Sequence, residues 1–334
     1  MTKFSKVSSL LAFSLLVACQ SESASLPTSK TLSPTKVEQI AKKVDSKYPN
    51  LAPAERADIL ALVIHSIDQM VFIEGGEFEM GDFGWACDFN PQDNCSWPCG
   101  MPEEQLCNIS IEGDAPIHPV KLSSYYLASK KTTLHAFDLF RKIQGKPVFD
   151  SEQRNDPYFK DYFKPDVPAP TRYWQEAKDY CNWIGDLSGY PGDLPTEAQW
   201  EYAARNRGQH ILYPTSNGNL NFGENYPPKH ESGNFKVFPT GSFSPSPLGL
   251  YEMSAVATEW VNDWYSKDYY QKSPVLDPQG PNNGQTKVSR GSNAVETPWL
   301  SANTVLRRSM NLDLKEYSNL NSFRCAIQQS STLK

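Results

Sequence analysis

Apolar residues recur at helical spacing in five stretches of the chain. Val37, Ile40, Ala41 and Val44 form one stripe, opened by Ser33 and Pro34. Ile59, Leu60, Leu62, Val63 and Ile67 form a second, with Pro53 near its start. His135, Phe137 and Phe140 follow Thr132-Thr133 and begin a third. Trp174, Ala177, Cys181 and Ile184 lie on one face of a fourth, stopped by Gly189 and Gly192. The fifth runs from Leu194 to Arg205. Thr196 is placed to be its N-cap and Gln199 to reach back, the form of a capping box. Glu197 in its first turn and Arg205 near its end match the helix dipole.

Between these helices the pattern shortens to strands. Val71, Ile73, Phe78 and Met80, broken by Gly75-Gly76, predict a strand, a turn and a second strand. His118 to Leu122 alternates into Tyr125-Tyr126-Leu127. Val288 to Gly291 and Ser322 to Ile327 read as short strands. The tracts from Phe149 to Pro170 and from Arg205 to Pro247 have little periodicity and read as surface loop. Gly249 to Tyr265 is compact and aromatic. The mixture is α+β and loop-rich.

The chain start differs from the rest. Lys3 and Lys6 precede a short apolar run from Leu10 to Val17, too short to span a bilayer. Leu16-Val17-Ala18-Cys19 resembles the bacterial lipobox, which implies cleavage before Cys19 and lipid, palmitate included, on that residue. The alternative is an ordinary secretory signal with a chance cysteine. Gln20 resembles the outer-membrane pattern. Acyl chains anchor at about 0.8 kcal/mol per buried CH2. The expected organisation is a signal peptide at 1–18, a Ser/Thr/Pro-rich flexible tether at 19–36, a helical preface at 37–68 and a folded domain at 69–328.

Charge and cysteine usage narrow the partners. The formal net charge is −6, and loss of two lysines with the signal takes it to about −8. That argues against a nucleic-acid partner, which needs a basic patch. Residues 82–114 are a cysteine-rich insertion holding Cys87, Cys95, Cys99 and Cys107. In an exported protein these predict two disulfides, with three pairings open. A four-cysteine zinc site is the alternative, although the close Cys-x-x-Cys pairs usual for structural zinc are missing.

Seven blocks in order resemble the formylglycine-generating enzyme, or sulfatase-modifying factor, family. They begin with Phe72-Ile-Glu-Gly-Gly-Glu-Phe-Glu-Met-Gly81, an opening hairpin in that family, and His118 to Tyr126. Glu176 to Trp183 and Leu194 to Arg205 follow. Gly249-Leu-Tyr-Glu-Met253 with Glu259-Trp260 and Asp263-Trp264-Tyr265, then Arg290-Gly291-Ser292 and Phe323-Arg324-Cys325, complete the series. The resemblance covers Met70 to Ile327 and implies an elaborated C-type-lectin-like domain. It also implies a disulfide between Cys181 and Cys325.

The family spans copper oxidases, iron-dependent sulfoxide synthases, periplasmic maturation proteins and display domains, so fold alone does not give function. The oxidases hold Cu(I) with two thiolates ahead of the last strand. Here Asn293 to Ser322 contains no cysteine, and the matching positions fall near Ser301 and Leu306. Copper is therefore not expected. The five histidines, His65, His118, His135, His210 and His230, are scattered and lack the iron-site arrangement. The family's calcium block reads Ala255-Val256-Ala257-Thr258-Glu259-Trp260, with Val256 in place of an oxygen donor. Calcium at Glu259 and Asn219 stands beside a second reading of Glu259 as a buried hydrogen-bonding group. Trp299, Ser301, Arg307, Arg308 and Tyr317 fall where relatives build a ligand groove; the two arginines read equally as internal salt-bridge residues.

The expected function is a non-catalytic envelope lipoprotein. It would be anchored to the outer membrane through Cys19, periplasmic or surface-exposed, and would bind a protein or glycan as an accessory of a secretion or envelope assembly. The alternative is a formylglycine-generating-type oxidase acting on exported proteins.

Overall fold

The computed structural model describes residues 26–93, 95–110, 116–228, 236–293, 297–314 and 321–334. The signal and Cys19 therefore lie outside the described residues, as do His230 and Tyr317. None of the described helices is long and apolar enough to cross a membrane.

The chain opens with two antiparallel-packed preface helices, α1 (Pro34–Lys47) and α2 (Pro53–Asp68). Ser33 caps α1, its hydroxyl accepting from the Lys36 amide, and Pro34 occupies the first turn. Val37, Ile40, Val44, Ile59, Val63 and Ile67 turn inward and join the largest core cluster. The preface thus packs on the domain. The expected tether ends earlier than 36. Ser29 Oγ donates to Asp68 Oδ1 at 2.6 Å and the amides of Lys30 and Thr31 donate to the same carboxylate. Leu32 is buried beside them. One carboxylate at the end of α2 therefore orders a segment that composition alone reads as flexible.

Four strands follow: β1 (Met70–Ile73), β2 (Gly76–Met80), β3 (His118–Leu122) and β4 (Tyr125–Ala128). The expected hairpin does not form. β1 pairs with β4 and β2 with β3, in separate sheets. Gly75 marks the crossing, where an added Cβ would fall 2.2 Å from the Leu122 carbonyl oxygen. Two chains this close leave no room for any side chain, and the turn predicted there is a crossover.

The cysteine-rich insertion separates β2 from β3. Its pairing is Cys87 with Cys107 and Cys95 with Cys99, so zinc is excluded from these four sulfurs. Beyond β4 come α3 (Leu134–Ile143), α4 (Trp174–Ser188), the two-residue β5 (Gly192–Asp193) and α5 (Glu197–Ala204). Gly189 ends α4 at φ 76°, in the left-handed region that glycine takes without strain. Thr196 and Gln199 form the predicted capping box on α5. The tract 149–170 contains 3-10 turns and buries Phe149, Val167 and Ala169.

The remaining elements are β6 (Thr258–Trp264), β7 (Thr286–Arg290), the one-turn α6 (Pro298–Ser301), β8 (Arg307–Asn311), β9 (Asn321–Phe323) and β10 (Ala326–Ile327). The expected single strand from Ser322 to Ile327 is two strands in two sheets. One sheet has the order β1-β4-β10-β5 and the other β8-β7-β6-β9. Arg324 and Cys325 form the link between them, and Cys325 is bonded to Cys181 of α4.

Candidate functional site

The centre of the molecule is ionic. α5 is wholly buried and sends Glu197 and Glu201 toward β7 and β8. Arg307 Nε and Nη2 donate to the two oxygens of Glu197 at 2.8 and 2.9 Å, a bidentate pair. Arg290 Nη2 donates to Glu201 Oε2 at 2.8 Å, and Arg205 Nη1 donates to Glu201 Oε1 at 2.9 Å. The Arg290 fork also donates to the carbonyls of Thr304 and Val305. It thereby fixes the backbone between α6 and β8, which follows Ser301 and includes Leu306. Capping thus has a structural consequence: Thr196 starts α5 in the register that places both carboxylates inside.

A second buried knot lies on β6. Glu259 accepts from Lys131 Nζ at 2.7 Å, from Arg324 Nε and Nη2 at 2.8 Å each, and from Trp200 Nε1 at 2.9 Å. Burial pushes the Glu259 carboxyl up, but Arg324 and Lys131 outweigh it and hold the group below its ordinary range. Both oxygens are committed to cations of the chain. The calcium expectation at Glu259 is therefore corrected to a structural ion pair. Asn219 is held elsewhere, its carbonyl accepting from Thr215 Oγ1 at 2.7 Å and from Asn225 Nδ2 at 3.2 Å. Val256 adopts φ 69°, a left-handed conformation unusual for a β-branched residue, and offers no oxygen. Among the described residues no cluster of three or more His, Cys, Asp or Glu is arranged to hold a metal.

The expected groove residues separate. Trp299 and Leu300 on α6 are 47% and 51% exposed. Tyr213 Oη donates to the Trp299 carbonyl from below at 3.1 Å. Ser301 is buried, its hydroxyl 2.8 Å from that of Ser292 and donating to the Thr297 carbonyl at 2.9 Å. Arg307 is not a groove residue: it is buried against Glu197, because strand alternation on β8 turns it inward. Arg308 is half-buried and donates to the Gly291 carbonyl. Trp299 is the exposed member of the described set, and Leu300 beside it, exposed as well, was not singled out by the sequence.

Two serine hydroxyls need a base to act as nucleophiles. The described histidines are placed elsewhere. His210 stacks on Phe83 and Trp97 with centroids 4.8 and 4.0 Å apart, and burial with the nearby Arg205 pushes it down to about 4. His118 packs on Tyr270. Asp263, given no role in the sequence beyond its place in a family block, accepts from the Glu197 amide at 2.7 Å at the start of α5. Burial and the Glu197 charge push it up to about 7.

This scaffold and its sequence were compared with known proteins. Residues 58–328 match the sulfatase-modifying factor enzyme 1-like domain. The chain belongs to that family. It is 33% identical over 306 residues to a formylglycine-generating enzyme of Streptomyces coelicolor, covering 77% of this chain and 88% of that one. An inactive C-alpha-formylglycine-generating enzyme 2 of Bos taurus is 30% identical over 174 residues, 49% of this chain and 51% of the relative. The structure of PvdO from Pseudomonas aeruginosa superposes with a TM-score of 0.57 at 19% identity, over 78% of this chain and 94% of that one; this likeness concerns the fold.

Family membership raises the question of copper. The donor set does not fit it. Near-neutral hydroxyl and alkyl groups at Ser301 and Leu306 cannot replace soft thiolates. All six described cysteines are in disulfides.

Proposed function

We propose that this family member is non-catalytic: an outer-membrane-anchored lipoprotein, periplasmic or surface-exposed, that binds a protein or glycan partner within a secretion or envelope assembly. The observation that carries it is the fate of the cysteines. Six are consumed in three disulfides, the seventh is Cys19, and residues 293–322 contain none. A thiolate pair for Cu(I) is therefore lacking where the family's oxidases have one. The family already includes a relative named as inactive, so scaffold and activity separate. Trp299 and Leu300 supply an exposed apolar pair of the kind that anchors interfaces.

The likeness to the Streptomyces coelicolor enzyme over most of its length favours the other reading, an oxidase acting on exported proteins. One assay decides. The purified chain is incubated with copper and a cysteine-containing sulfatase peptide while oxygen uptake and peptide mass are followed. We expect neither uptake nor formylglycine; turnover with bound copper overturns the proposal. Anchoring is checked by fractionating cells that carry Cys19→Ala, which should move the protein out of the membrane fraction.

A further inference from the structure

α2 and the segment joining β4 to α3 enclose a cavity of about 270 Å3. Of the expected groove, the described residues Trp299, Ser301, Arg307 and Arg308 do not border it. Its floor is apolar, formed by Ala136, Tyr180, Ile184 and the Cys325 end of the disulfide. Its rim carries Lys130, His65 and His135. Both histidines are exposed and Lys130 is half-buried, whereas Tyr180, Ile184 and Cys325 are buried. His65, His135 and Lys130 therefore lie nearer the solvent than Tyr180, Ile184 and Cys325.

The charge balance at the mouth is one-sided. Among the described residues, no aspartate or glutamate lines the cavity. Lys131 also borders it, but its ammonium is used by Glu259 at 2.7 Å and by the Glu252 carbonyl. Lys130 has no carboxylate partner among the described residues; its Nζ lies 5.1 Å from the centre of the Tyr251 ring. A cationic ligand would meet Lys130 at close range. A polyol would meet Ser66, Gln69, Thr132, Thr133 and Thr240 on the walls, but the hydroxyls set against the apolar floor would lack hydrogen bonds, which is costly. An anion with a hydrocarbon body satisfies both halves.

We propose that this cavity binds a small amphipathic carboxylate, its head at Lys130, His65 and His135 and its tail on the floor of Ala136 and Ile184. A cavity of about 270 Å3 has room for the tail of a medium-chain acid. Leu62, His65 and Ser66 of α2 form one side of the wall, so an occupant touches both the preface helices and the domain.

Calorimetric titration of the intact chain with octanoate, octanol and octylamine tests the assignment. Octanoate should bind at one per chain, octanol at least about tenfold more weakly, and octylamine not at all. Lys130→Ala should weaken octanoate by about tenfold or more, the loss expected for a hydrogen bond to a charged group. Ala136→Leu fills the floor and should abolish binding while the folded signal in circular dichroism is kept. The proposal is overturned if octanoate gives no binding, if octanol binds as tightly, or if Lys130→Ala binds octanoate like the parent. The last readout needs no core substitution, so it stands even where Ala136→Leu fails to fold.

Discussion

Glu197 is one residue on which three elements converge. Its carboxylate receives both arms of Arg307 and the Tyr270 hydroxyl, and Arg290 approaches it at 3.3 Å. Removing it leaves buried guanidinium charge uncompensated. Glu197→Ala should cost about 3–5 kcal/mol in urea unfolding; a loss under about 1 kcal/mol, the scale of an exposed pair, would contradict the interior role. The neighbouring Asp263 gives a pH signature. Its folded value near 7 exceeds the ordinary 3.8, so the native state holds a proton that the unfolded chain has lost. Its contribution to stability is present below pH 4, fades as pH rises to 7 and is gone above. Asp263→Asn can still accept from the Glu197 amide, so its melting temperature should gain on the parent's as pH rises from 4 to 7. A difference that stays constant with pH would refute this. Arg307 and Arg308 look alike as sequence neighbours. They differ because β8 alternates and because the partner of Arg307 lies 110 positions away, a separation no local pattern reveals.

Helices were legible for a physical reason: their start and stop signals lie within four residues. Ser33, Thr133, the Thr196–Gln199 box and Gly189 all act where the sequence places them. Thr196→Ala should cost about 1 kcal/mol in thermal or urea unfolding. Because α5 is buried throughout, the loss should fall on global unfolding and not on local fraying. Strand pairing was not legible. Alternation identified Met70–Ile73 and Gly76–Met80 as extended, but partners are chosen across sheets, through 118–122 and 125–128. The same limit merged β9 with β10. The tether was misread because Asp68, the residue that orders it, sits more than thirty-five positions downstream of Ser29.

At the scale of the molecule, the Cys181–Cys325 bond closes a loop of 144 residues and ties α4 to the junction of both large sheets. In the chain-entropy relation a loop of that length is worth about 5 kcal/mol, although measured losses run from about 2 to 5. Cys181→Ser combined with Cys325→Ser should therefore lower the unfolding free energy measured in urea by that amount. The two insertion bonds close much shorter loops, 20 and 4 residues, and their removal should cost less. If replacing the insertion cysteines destabilises more than replacing this pair, the loop-closure account fails.

The position of β9 and β10 also sets a timetable. β10 lies between β4 and β5, and β9 closes the other sheet in parallel with β6. Residues 321–327 leave the ribosome after every other described strand, yet neither sheet is complete without them. A nascent chain up to residue 320 has its helices available early but holds two unfinished sheets with open strand edges. Native structure arrives in one late event, and a chain cut short a few residues before β9 should be cleared by proteases as an unfolded polypeptide rather than persist as a smaller domain.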